Sequence, residues 1–440
     1  MNIRFRHSRR LALASAAAVS ATVLLASCSG GSSGSDALDL TSTPPTGVTL
    51  TLWHNTGDSP ALLDLYKAYE KASGNTIDLV DLPSDTFTNA VQTKWSTGDR
   101  PDILEYLPTS QDMLQLNMAE NMVDLSSMDF VKAEGSLAQS AGSLNGTTYG
   151  AVLGPNATYG VFYNKKVLAE AGISAPTNYT ELEADCSAIS AAGATPVFVG
   201  GGSEFPAMMI PGFTYMADFN QNDSYGQAVK NGTTKVNDPS GPLVAGLTVL
   251  DTLRSSNCLN GDAATATFDD AVQAVFTGSA AMTVLPSDFI TQFYTAGNGD
   301  TAAVDSAIGL GAISAQKGIA SYSPNAYGSY FVPKTGDTTK ERAAADFIQW
   351  VTSTGYQSYV DEAKIVPTLS TATAPDLTGL SADMKTLLSS PDATLAFNSS
   401  LPGFGNYGKI AVSVLVGQAT PQGAADQFQT FVDQAIAAQQ

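Results

Sequence analysis

Histidine sets the limits of the chemistry open to this chain. There are two, and His7 lies in an arginine-rich start that reads as an export signal, which leaves His54 alone in the mature chain. An HExxH metal site, a multi-histidine zinc site and any catalytic triad not built on His54 are thereby excluded. No GxxxxGK[ST] phosphate loop occurs. The run Asp218-Phe219-Asn220-Gln221-Asn222-Asp223 resembles the start of a calcium loop, but Val229 stands where a bidentate glutamate is needed, so it reads as a solvated turn. No metal and no cofactor is expected.

What remains is aromatic rings beside acid and amide tips. That combination suits a polyhydroxylated ligand, because ring faces cover the C–H patches of a pyranose and planar polar groups take adjacent hydroxyls in pairs. Trp53, His54 and Asn55 end one strand and Glu105 ends another, although Trp53 reads equally as a core residue and Glu105 as a merely solvated acid. Asn156 and Tyr159 are candidates in the middle of the chain, with Tyr163 a core alternative. Glu204 and Phe205 follow Gly200-Gly201-Gly202 as hydroxyl acceptor and stacking ring. That glycine run is a poor phosphate site, having neither a lysine nor a helix start. Asp288, Tyr327, Gly328 and Phe404 complete the set; Phe404 and Tyr407, in LPGFGNYG, are either cleft-rim rings or loop anchors.

The elements that must hold these residues alternate. Residues 48–53 (VTLTLW) form a β-branched strand, Leu62, Leu65, Tyr66 and Tyr69 mark a helix ending at Gly74, and NTIDLVDL is a second strand. A helix over 84–96 and a strand at Pro101-Asp102-Ile103-Leu104-Glu105-Tyr106 follow. This β-α-β-α-β order implies parallel strands covered on both faces, a doubly wound α/β sheet whose ligands sit beyond the carboxyl ends of its strands. Residues 144–196 join two halves. An extended run, Tyr159-Gly160-Val161-Phe162-Tyr163-Asn164-Lys165, leads to a short helix stopped at Gly172. Asn178 with Glu181 then opens a helix burying Leu182, Cys186 and Ile189.

These motifs carry a resemblance. The order G-x-x-YG, an aromatic before YNK, a helix ending AGI, P-x-x-[WY]-x-E and AG-x-TP is similar to the family 1 extracellular solute-binding proteins of bacterial ABC importers. LTLW, G-x-x-PDI and NMVDLS fall in the expected order, as do Phe276-Thr277-Gly278-Ser279-Ala280-Ala281-Met282 and Ala326-Tyr327-Gly328-Ser329-Tyr330-Phe331-Val332-Pro333-Lys334. The C-terminal Gly417-Gln418-Ala419-Thr420-Pro421 start departs, with Gln422 and Gly423 where acids are usual. The resemblance implies a periplasmic-binding-protein-like fold, two doubly wound lobes joined by a hinge with three crossings, placed near residues 153–159, 310–314 and 366–370. The first lobe then takes 47–155 plus 312–368 and the second 156–311 plus 369–440. It also implies a binding protein rather than an enzyme, with an oligosaccharide as ligand and ABC permease subunits as partners. A monomer is expected.

The N-terminus agrees. Four arginines precede an apolar run over 11–26, shorter than the ~20 residues a membrane span needs, and Leu25-Ala26-Ser27-Cys28 matches a lipobox. Residues 1–27 read as a signal peptide, Cys28 as the lipidated residue, and 28–46 as a flexible tether beginning SGGSSGS. Loss of the four arginines takes the formal charge from −20 to about −24, which makes nucleic acid an unsuitable partner. The two remaining cysteines, Cys186 and Cys258, are either a disulfide or two buried thiols. Two other functions stay open: a binder of a peptide, polyamine or phosphate ester, and a histidine-free glycosidase using two carboxylates.

Overall fold

The computed structural model describes residues 38–83, 86–135, 137–324, 328–397 and 401–437. The expected signal peptide, Cys28, the first part of the expected tether and Tyr327 lie outside them.

Strand β1 (Thr49–Asn55) leads through α1 (Pro60–Ser73) to β2 (Thr76–Leu82), and α2 (Phe87–Ser96) leads to β3 (Ile103–Glu105). A short helix α3 (Ser110–Gln115) precedes β4 (Gly150–Val152). The second lobe begins with β5 (Ala157–Asn164), α4 (Lys165–Ala171), α5 (Tyr179–Ala191) and β6 (Thr195–Val197). It continues through α6 (Pro242–Ser255), α7 (Phe268–Thr277), β7 (Ala280–Pro286), β8 (Ile308–Gly311) and β9 (Ser321–Ser323). The chain returns to the first lobe for β10 (Ser329–Phe331), α8 (Thr338–Val351) and α9 (Tyr356–Ala363). It ends in the second with α10 (Gly379–Leu388), β11 (Thr394–Leu395), α11 (Tyr407–Leu415) and α12 (Pro421–Ala437).

Two large sheets result, ordered β2-β1-β3-β10-β4 and β11-β9-β5-β7-β6, with β8 also paired to β5, beside a small hairpin that pairs Ser143–Leu144 with Thr147–Thr148. In the first, β1, β2 and β3 are parallel and β10 runs against β3 and β4. Successive side chains of a strand point to opposite faces, and both faces are covered. Leu52, Ile103 and Tyr330 enter the core under α1, α8 and α9, while Trp53, Leu104 and Phe331 enter the core under α2. The second sheet divides in the same way, Val161 and Val284 to one side and Phe162 and Leu285 to the other. This is the two-lobed α/β architecture expected.

Local signals worked through their own hydrogen bonds. Ser59 caps α1, accepting from the Ala61 N–H, and Gly74 ends it at φ 73°, a conformation that costs glycine nothing. Asn178 caps α5 by accepting from the Glu181 N–H. The Glu181 carboxylate reaches back to the Thr177 N–H at 2.8 Å, one residue earlier than a capping box would place it.

The chain first passes between lobes at 153–156. Its second passage comes only after Ser323, later than the 310–314 expected, because β8 and β9 both hydrogen-bond to β5 and so keep residues 312–323 in the second lobe. The third is also later: Leu369 belongs to the first-lobe core and Thr373 still exchanges hydrogen bonds with Gln357 of α9. Passage therefore falls at 374–378, just before Leu380 joins the second-lobe core.

Cys186 of α5 and Cys258, beyond α6, are joined as a disulfide with their Cα atoms 5.5 Å apart and 72 positions apart in sequence. Closing a loop of that size in the unfolded chain is worth at most about 4 kcal/mol on the chain-entropy account. The Cys186→Ser, Cys258→Ser double variant is expected to lose about 2 to 4 kcal/mol, read from urea unfolding. A midpoint equal to the wild type would show that the bond contributes nothing.

Candidate functional site

A cavity of about 860 Å³ opens between the lobes, lined by residues of both. From the first lobe come Thr88 of α2, Leu107 and Thr109 of the loop after β3, and Asp112, Leu114 and Gln115 of α3. Facing them are Tyr159, Phe205, Met208, Met209, Phe213, Asp288, Ser323 and Phe404 of the second lobe. The site thus lies beyond the carboxyl end of a parallel strand, where an open sheet leaves a crevice.

The second-lobe wall is aromatic. Tyr159 and Phe213 have ring centroids 4.3 Å apart, and Phe404 meets Phe213 edge-on at 5.5 Å. Phe205 packs on Phe268 and Phe289 at 5.7 and 5.6 Å, which braces it while leaving it half-buried. The Tyr159 hydroxyl donates to Ser323 Oγ at 3.1 Å, and burial raises its pKa, with the Asp288 charge acting the same way. The first-lobe wall is polar at its tip. Thr109 caps α3 by accepting from the Asp112 N–H, and its hydroxyl donates to Asp112 Oδ2. Burial pushes the Asp112 carboxyl up to about 6, against the lowering effect of Thr109. No arginine, lysine or histidine lines the cavity among the described residues.

Of the residues singled out from sequence, Tyr159, Phe205, Asp288 and Phe404 converge here. Others are placed elsewhere, each for a physical reason. Trp53 is 2% exposed and packs into the core under α2, with the Lys94 ammonium 4.8 Å from its ring centroid. His54 is buried with Nδ1 3.1 Å from Asp81 Oδ1, and burial lowers its pKa more than Asp81 raises it. Asn55 is buried and its side chain accepts from the Gly57 N–H, closing the turn after β1. Glu105 is fully buried and spends both oxygens on backbone, accepting from the N–H groups of Asn55 at 3.1 Å and Gly328 at 2.8 Å.

Gly328 belongs to the second crossing, where its carbonyl accepts from the Leu153 N–H of the first. Asn156 lines a separate, smaller cavity of about 290 Å³ with Tyr322, Val366 and Thr368. Glu204 is exposed and not part of the cavity wall. The glycines before it serve close packing: a Cβ at Gly200 or Gly201 would come within 2.4 Å of the carbonyl oxygens of Thr267 or Ala263. Tyr407 is a fully buried anchor, so the two rings of that loop divide their roles.

Sequence reasoning did not find Asp112 or Phe213. Thr109-x-x-Asp112 directly after a strand is a helix-start signal and could have drawn attention to α3. Phe213 lies in a π-helical stretch, Met209–Thr214, which has no sequence signature beyond an apparent loop around Pro211-Gly212.

The model of the bacterial extracellular solute-binding protein family matches residues 54–358. The chain belongs to that family. Its members capture solutes rather than transform them, so this is an extracellular binding protein and not an enzyme. Solved structures share its fold. A chitin oligosaccharide binding protein superposes with a TM-score of 0.74 at 21% identity, covering 89% of this chain and 99% of its own. The solute-binding protein RafE in complex with raffinose gives 0.72 at 20% identity, covering 88% and 100%. A sugar transporter from Bacillus licheniformis in complex with stachyose gives 0.66 at 18%, covering 88% and 100%. None of the curated proteins compared with the chain matches it by sequence.

Buried acids away from the cavity, Glu134 and Asp58 among them, make the solute-binding protein pH-sensitive. Burial pushes Glu134 up to about 8 and Asp58 up to about 7. Both folded values exceed the unfolded ones, so between about pH 4 and pH 8 the native state binds more protons, and stability falls as pH rises through that window. The melting temperature is expected to be higher at about pH 5.5 than at about pH 8.5, with the slope reduced in Glu134→Gln. A melting temperature that rises with pH over this range would contradict the assignment.

Proposed function

We propose that the protein is a lipid-anchored, monomeric receptor that captures a neutral sugar, an oligosaccharide, between its lobes and delivers it to the permease subunits of an ABC importer. One observation carries this reading: the cavity sets a wall of rings, Tyr159, Phe205, Phe213 and Phe404, against hydroxyl, carboxyl and amide tips at Thr109, Asp112 and Gln115, with no basic side chain among the described residues of its lining. Rings suit the apolar faces of sugar rings, and the tips suit paired hydroxyls. An anionic ligand would meet the carboxyls of Asp112 and Asp288 in the cavity lining. The complexes of structurally similar proteins with raffinose and stachyose support the same ligand class. Contacts from both lobes give the ligand its leverage, since only a form that touches it from two sides gains from closing.

Micromolar binding needs about −8 kcal/mol, which two or three ring contacts and several hydrogen bonds of about 1 kcal/mol each supply before closure costs are subtracted. Calorimetry against raffinose-type, chito-, xylo-, arabino- and manno-oligosaccharides is expected to give a saturable heat with at least one. Neither heat nor a thermal shift with any of them would sink the reading. The anchor rests on Leu25-Ala26-Ser27-Cys28 and the SGGSSGS tether. Cys28→Ala is expected to release the protein from the membrane fraction.

A further inference from the structure

Behind the polar edge of the cavity, α2 and α3 are tied together by two side chains. The Trp95 indole N–H donates to the Leu116 carbonyl at 2.9 Å, and one turn earlier on α2 Gln92 donates through Nε2 to Gln115 Oε1. The same Nε2 donates to the Tyr106 hydroxyl oxygen at 3.0 Å. Tyr106 follows β3 and is fully buried, so its oxygen is a fixed point. Gln92 is not part of the cavity lining, whereas Gln115 is, as is Thr88 one turn before Gln92.

These contacts have a sense. A carboxamide carries two N–H donors on one atom and its acceptor on another. Gln92 spends its donors on Tyr106 and Gln115, and Gln115 spends its oxygen, which leaves the N–H groups of Gln115 Nε2 for the cavity it lines. Asp112 stands three residues earlier on α3, a spacing that makes the two side chains neighbours on the helix surface. Thr109 donates to Asp112 Oδ2, so Oδ1 is the oxygen left to accept. This edge therefore sets a donor beside an acceptor. Left alone, an exposed glutamine turns its amide either way and loses that freedom on binding.

We infer that Gln92 is a positioning residue that holds Gln115 as a donor beside the acceptor Asp112, and that this pair selects ligands with free hydroxyls on two adjacent sugar carbons. The inference rests on the sugar-binding reading. A hydroxyl both donates and accepts, so two adjacent ones complete a directed chain. The Gln115 N–H donates to the first oxygen, the first hydroxyl to the second oxygen, and the second hydroxyl to Asp112 Oδ1, each bond polarising the next. Turned round, Gln115 would set a second acceptor beside the carboxylate, and the first oxygen would lose its donor. A substituted or missing hydroxyl breaks the chain and leaves a polar group of the site unpaired, which is how a site rejects an analogue most strongly.

One test needs no ligand. In nuclear magnetic resonance of the protein with labelled glutamine side chains, the Gln92 amide protons are expected to exchange with water about tenfold more slowly than those of Gln115. Equal rates, or the reverse order, would overturn the assigned sense. The other is calorimetry with raffinose, stachyose and a chito-oligosaccharide as probes. For the sugar that binds the wild type, Gln92→Met, which keeps the side chain's length without its donors, is expected to weaken binding about tenfold while the protein stays folded by thermal melting. Added to Gln115→Ala it is expected to cost nothing further, because Gln92 acts only through Gln115. No loss in the single variant, or the full loss again in the Gln115→Ala background, overturns the positioning role. Among monodeoxy analogues of that sugar, the wild type is expected to reject those altered at two adjacent carbons by about tenfold or more, and Gln92→Met to discriminate less; uniform tolerance overturns the diol. If no probe binds the wild type, the sugar reading fails and the diol with it, while the exchange order still decides how Gln115 is turned.

Discussion

Replacing Phe205 and Phe404 together by alanine is expected to weaken oligosaccharide binding by about a hundredfold, with each single change costing about tenfold. Both rings line the cavity and both are half-buried, so each keeps a face for a ligand while neighbours fix its orientation. Phe205 is braced by Phe268 and Phe289, and Phe404 by Phe213, Phe397 and Tyr407. A braced ring loses little rotamer freedom on binding, so most of its contact energy reaches the affinity. About 1.4 kcal/mol per ring is a tenfold change, within the range for stacking contacts that also exclude water. The two sites share no direct ring contact among those described, so near-additive effects are expected. Calorimetry with the sugar that binds the wild type measures this, and the folded fraction is checked by thermal melting because both rings also pack on neighbours. An unchanged dissociation constant in the double variant would place the ligand away from this wall.

Trp53→Ala is expected to act in the opposite sense, costing about 3 to 5 kcal/mol of stability while leaving the affinity of the folded protein as it was. The indole is 2% exposed and shares its core with Phe87, Val91, Trp95, Leu104 and Phe331. Removing it leaves a cavity that a sheet and a helix cannot collapse to fill, and it strips the Lys94 ammonium of the ring beneath it. Denaturant unfolding reads the first effect and calorimetry below the melting point reads the second. A large loss of affinity with stability intact would return Trp53 to the binding site.

These two predictions separate residues that look alike in sequence. In sequence Trp53 ends a strand and Phe205 follows a glycine run, each beside a loop, and each could be a stacking ring. The strand's alternation decides between faces only once the sheet's neighbours are known. Leu52 and Trp53 face opposite cores, and both cores exist because helices cover both sides of the sheet. Glu105 shows the same limit. An acid at a strand end reads as a ligand contact or a solvated charge, and neither reading foresees that the chain returns 223 positions later to place Gly328 against it.

By itself the sequence determined the order of the first elements, their caps and glycine stops, the parallel pairing of β1, β2 and β3, the family and the exclusion of any multi-histidine site. Those are local matters, settled by side-chain periodicity, by backbone conformations open only to certain residues, and by counting. Tertiary structure alone decided where the second and third crossings fall, which rings face the cavity, and that Asp112 and Phe213 belong to its walls. Each depends on contacts between residues far apart in the chain: β9 pairing with β5, α3 set opposite the second lobe, and a π-helical turn that presents Phe213. Propensity and spacing act over a few residues, whereas burial is a property of whatever the rest of the chain brings alongside.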